Sequence, residues 1–141
     1  MSSRPKSPES RTVRSFFATR LAELRAAVTS AKLAAIASED GLLSATDSDA
    51  DPSPLDRRGA VLASLVAVAR TSAREVNAGE AACVLILCTE GALIVRPFGT
   101  TRRRLLMLLL ADPRESSRAV AAVHRLAVDI ETRLAPAAPA S

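Results

Sequence analysis

Aspartates alternate at positions 47, 49 and 51, a pattern in which carboxylates can converge on a hard cation such as calcium. A loop of that kind needs glycine at its sixth position and glutamate at its twelfth, where this chain has Pro52 and Arg58. The run therefore reads as a solvated acidic loop. Cys83 and Cys88 fall within one apolar run, and on a single strand their side chains leave opposite faces. They can then neither bridge one another nor share a metal, and they read as small buried apolar residues. His124 is the single histidine, and no cysteine or aspartate stands at a spacing that suggests a catalytic triad. Arg102-Arg103-Arg104 is the densest charge cluster, suited to an acidic partner or a phosphate. Consecutive side chains alternate in direction, however, so not all of them reach one ligand. The segment GTTRRR also lacks the G-x-x-x-x-G-K-[ST] pattern that cradles phosphates. No set of residues reads as catalytic, cofactor-binding or metal-binding.

The elements that hold these residues follow from pattern. Thr12 to Ser30 carries Val13, Phe17, Leu21, Leu24 and Val28 at helical spacing, which predicts an amphipathic helix. Asp40-Gly41 between two short apolar runs predicts a hairpin pairing 33–39 with 42–46. The stretch 47–56, acidic and broken by Pro52 and Pro54, predicts a loop. A second helix is expected from Arg57 to Asn77, with Asp56 as cap and Gly79 as stop. Its apolar surface is broad, since Val61 and Val68 widen the stripe of Leu62, Leu65, Val66, Ala69, Ala73 and Val76. Such a helix has two things to pack against.

The continuous run Cys83–Thr89 predicts a strand buried on both faces. Glu90-Gly91 turns the chain into a strand over Ala92–Phe98, whose regular pairing should end at Pro97. Gly99–Arg104 is a loop and Leu105–Leu110 a fifth strand. Asp112-Pro113-Arg114-Glu115 resembles a capping box opening a last helix that reaches Leu134. The fold class is α+β: a five-stranded antiparallel sheet in α-β-β-α-β-β-β-α order. Residues 1–10 read as a disordered basic tail, 11–134 as one folded domain and 135–141 as a second tail.

Composition narrows the function. In 141 residues there are one histidine, no tryptophan, no tyrosine and only five glycines, few parts from which to build catalysis. Four cations against one anion put +3 of the +4 net charge in the first fourteen residues, so the folded part is nearly neutral. A nucleic-acid binder would spread its excess over the fold. The longest apolar run, Leu105–Ala111, is far short of the ~18 residues of a membrane span. The amino end lacks the apolar region of a secretory signal, so a cytoplasmic location is expected.

The ordered set AAIASEDGLLSA, AVLASLVAVARTSARE and VLILCTEGALIVRPFGTTRRRLLMLL resembles the Roadblock / dynein-light-chain family, including its bacterial branch beside Ras-like GTPases. The likeness covers about residues 15–134, although TSAK, before the first strand, lacks the glycine often found there. The resemblance implies the second helix on one face of the sheet and the terminal helices on the other. It also implies a homodimer in which third strands meet edge to edge and second helices pack side by side. The residue patterns support this, because an open CVLILCT edge is an aggregation hazard unless covered. Val61, Leu65, Val68, Cys83 and Leu85 are the expected dimer contacts, and Arg57, Arg58, Arg70, Arg102, Arg103 and Arg104 the candidate partner contacts. The implied partner is a small Ras-like GTPase and the implied role a non-enzymatic adaptor without cofactor. An arginine finger would need one rigidly placed side chain, which a three-arginine loop does not suggest. The alternative is a basic nucleic-acid-associated protein acting through its amino-terminal tail and the loop at 102–104. With three phenylalanines as its only aromatics, the chain has few rings on which to stack bases.

Overall fold

The computed structural model describes residues 10–48 and 53–134, with 53–57 described at the backbone only. Ser10, grouped with the tail above, belongs to the fold: its hydroxyl accepts the Val13 N–H at 3.1 Å and caps α1, Arg11–Ala27. The tails at 1–9 and 135–141 lie outside the described residues. α1 ends short of Ser30 because Val28 turns to an extended conformation (φ −119°, ψ 104°). The hairpin follows as β1, Ala31–Ser38, and β2, Leu43–Ser48, with a register irregularity between Ile36 and Ala37.

β2 takes in Asp47 and Ser48, which pair with Ala34 and Leu33 and so are strand where a loop was expected; 49–52 lie outside the described residues. α2, Ser53–Glu75, starts ahead of its predicted first residue, placing Asp56 within the helix and not at its cap. Its stop is Asn77 (φ 56°), ahead of Gly79, and the Ala78 N–H closes on the Ala73 carbonyl at 2.8 Å. β3, Val84–Cys88, β4, Gly91–Phe98, and β5, Arg104–Leu110, complete the sheet. A short 3-10 turn, Pro113–Glu115, leads into α3, Ser116–Leu134. The capping box does not close. Asp112 accepts the Arg114 N–H at 2.9 Å, and Glu115 instead takes the Ser30 N–H at 3.2 Å across the fold.

All pairings are antiparallel, in the spatial order β2-β1-β5-β4-β3. Alternation along the strands sorts the core into two layers. Ala34, Ile36, Ile94, Leu106 and Leu108 face α1 and α3, meeting Phe17, Leu21, Val123 and Ile130. Ala35, Ala37, Val95, Leu105 and Met107 face α2, which contributes buried Val66. Arg20 ties α1 to α3 by reaching Asp129, and it also pairs with Glu23 of its own helix. Central β5 is buried on both faces, as are its neighbours β1 and β4. β3, expected in that place, is at the sheet edge, with Leu85 43% and Leu87 64% exposed.

Candidate interaction surface

α2 is pinned to the sheet at two points. Near its start Gly59 crosses Gly41 of the β1–β2 turn so closely that a Cβ on Gly59 would lie 2.0 Å from the Gly41 carbonyl oxygen. Further along, Arg70 reaches Glu39 at 3.1 Å. Between these points Val66 is buried, with Leu62 and Ala63 half-buried against the same layer. That leaves the opposite flank in solvent: Val61 is 67% and Val68 62% exposed, and Leu65 is half-buried between them. At 61, 65 and 68 these residues stand one above the other on a single helical stripe.

The second apolar element is the β3 edge. Its inner side is fully paired to β4 from Val84↔Val95 to Cys88↔Gly91, and its outer side has no strand neighbour among the described residues. Leu85 and Leu87 share a sheet face with Ile94 and Ala92, beyond the reach of α1 and α3. Cys83 lies just before β3, half-buried against the α1/α3 layer, while Cys88 is exposed at the strand's end. Burial pushes the Cys83 thiol pKa up, and the nearby Arg96 cation draws it part of the way back.

The structure divides the six candidate arginines. Arg58 is exposed on α2, roughly 18 Å along the helix axis from Arg70 at 1.5 Å per residue. Arg57 lies beside it, its side chain outside the described residues. Arg102 and Arg104 line a hollow of about 190 Å³ with Val13, Phe98 and Ile130. Arg104, expected in a loop, opens β5 and holds its guanidinium 5.3 Å over the Phe17 ring. Arg103 points elsewhere, into an open groove of about 540 Å³ beside the carboxyl-terminal half of α2. Arg70, Arg74 and Arg96 share that groove, with Glu80 and Glu131. Thus Arg70 and Arg103 meet although far apart in sequence, and Arg74 and Arg96 join them unforeseen. Arg74 was open to detection as one helical turn beyond Arg70. Arg96, inside a strand, gave no such signal.

The remaining chemistry-bearing residues are dispersed. Asp47 accepts from Arg25 at 3.1 Å, and Asp49 and Asp51 lie outside the described residues. His124 is exposed on α3, its Nδ1 3.0 Å from Arg96 Nη2. Phe17 and Phe98 are buried and offer no face to a nucleic-acid base, and Phe16 is half-buried against the core.

A model of the Roadblock/LC7 domain matches residues 18–110, the span that contains the whole sheet, α2 and most of α1. The chain belongs to the Roadblock/LC7 family. The family's fold recurs in solved structures. A Roadblock/LC7 domain from Streptomyces avermitilis superposes with a TM-score of 0.72 at 20% identity, over 84% of this chain and 98% of that one. Myxococcus xanthus MglB gives 0.76 at 12% identity, over 90% and 92%. An MglB with tetrameric arrangement gives 0.68 at 20% identity, over 90% and 98%. No curated protein matches the chain. Among its described residues, this Roadblock/LC7 chain has no helix long and apolar enough to cross a membrane.

Proposed function

We propose that this Roadblock/LC7 chain is a non-enzymatic homodimeric adaptor that binds a small Ras-like GTPase and regulates or localises it. One observation carries the reading: the row Val61, Leu65 and Val68 on α2 and the β3 edge leave two large apolar surfaces in water on one chain. Exposed apolar area of this kind is characteristic of an interaction site, and an open strand edge is a template for pairing. Joining two β3 edges would extend the antiparallel sheet across a two-fold axis and set the two α2 helices side by side, satisfying both at once. The tetrameric arrangement of one MglB of this fold is self-association in a relative.

GTPase partnership comes from the family resemblance, and its mechanism would be differential binding. An adaptor shifts a GTPase between conformers only if it contacts one nucleotide state better than the other. A tenfold preference needs about 1.4 kcal/mol, within reach of a few added contacts on one dimer face. The test mixes the purified chain with a candidate small Ras-like GTPase, loaded with GDP or with a non-hydrolysable GTP analogue. Nucleotide-dependent binding, with or without a change in turnover, is the expected result. Equal absence of binding in both states rejects the reading.

A further inference from the structure

The groove at the carboxyl-terminal half of α2 collects four guanidiniums from three separate parts of the chain: Arg70 and Arg74 of α2, Arg96 of β4, and Arg103 of the loop before β5. Two of them are already balanced. Arg70 pairs with Glu39 at 3.1 Å and Arg74 with Glu80 at 3.3 Å. The other two are not. Arg96 donates from Nη1 to the Pro97 carbonyl at 2.8 Å and lies against His124; Arg103 donates from Nη1 to the Gly99 carbonyl at 3.2 Å. Among the described residues neither has a carboxylate within ion-pair distance, and both are half-buried. The carboxylate of Glu131, on the same groove, is engaged by the Gly99 N–H at 3.3 Å.

A guanidinium has five donors, and a backbone carbonyl uses one while fixing the side chain's direction. Arg96 and Arg103 are thus held in place with donors to spare, which lowers the ordering cost of binding an anion. We propose that this groove takes a short acidic segment of a partner protein, with carboxylates pairing to Arg96 and Arg103. This deepens the adaptor reading and rests on it. Planar carboxylates match the fork of an arginine in two parallel hydrogen bonds. A nucleic-acid strand fits less well. Glu80 and Glu131 interrupt the positive lining where a continuous phosphate chain would run, and the groove's one aromatic, Phe98, is buried and cannot stack with bases.

The test titrates the full chain, with no GTPase present, into a fluorescein-labelled hexaglutamate peptide and separately into a labelled hexathymidylate, at low and at physiological salt. The unaltered chain binds the peptide more tightly than the oligonucleotide. Arg96→Ala/Arg103→Ala weakens the peptide about tenfold or more, whereas Lys32→Ala/Arg118→Ala, an equal charge removal at exposed positions elsewhere, changes it by less than about twofold. Arg96→Lys/Arg103→Lys, which keeps charge and bulk but not the fork, recovers only part of the affinity and guards against a folding defect. Equal losses in the two alanine pairs, tighter binding of the oligonucleotide, or no peptide binding at low salt would each overturn the proposal. Because the GTPase is absent, such a failure leaves the adaptor reading to its own experiment.

Discussion

Single residues set the position of α2 and the reactivity of the Cys83 thiol. Gly59 and Gly41 approach backbone to backbone, and a methyl group at 59 has no flexible neighbour to displace. Gly59→Ala should cost about 1–3 kcal/mol of stability, as overpacking does, measured by urea unfolding; an unchanged midpoint would mean that α2 is not seated there. Cys83 offers an independent check. Burial raises its thiol pKa, so at a given alkaline pH less thiolate is present than in an unfolded chain. In a Cys88→Ser variant, iodoacetamide should label Cys83 more slowly in buffer than in urea at the same pH, and the gap should narrow as pH rises. Asp112 supplies a third. Its carboxyl is held below the ordinary range by the Arg114 side chain, so it favours the folded state at neutral pH and loses that advantage as pH falls through the carboxylate range. Stability curves of the unaltered chain and Asp112→Asn should therefore converge in acid.

At the scale of elements, periodicity made all three helices and the β1–β2 hairpin legible, because Phe17, Leu21 and Leu24 or Asp40-Gly41 act over a few residues. Order across the sheet was not legible in that way. CVLILCT and LLMLLL are both unbroken apolar runs, yet the first is half-exposed β3 and the second is central β5. What differs is the company each keeps in space, which local composition does not encode. The same holds for the groove: Arg103 was visible as one of three adjacent arginines, but its neighbours Arg70, Arg74 and Arg96 arrive through α2 packing and the β4 register. The difference between the two strands is measurable. Leu106→Ala, in β5, should cost about 2–5 kcal/mol, while Leu87→Ala, at the solvent-facing edge, should cost well under half as much in dilute protein.

For the whole molecule, the fold leaves its apolar surplus on the outer flank of α2 and at the β3 edge, and places its half-buried unbalanced arginines beside α2. Self-association through the first and capture of a GTPase by the resulting platform make one account. The dimer underlies both, and the mass in solution by light scattering across micromolar concentrations reports it. The unaltered protein should show twice the chain mass of 14.8 kDa, falling to the single-chain mass in Val68→Glu/Leu85→Lys, which puts charge into both contacts while the fold is retained. A single-chain mass for the unaltered protein at high micromolar concentration would contradict it.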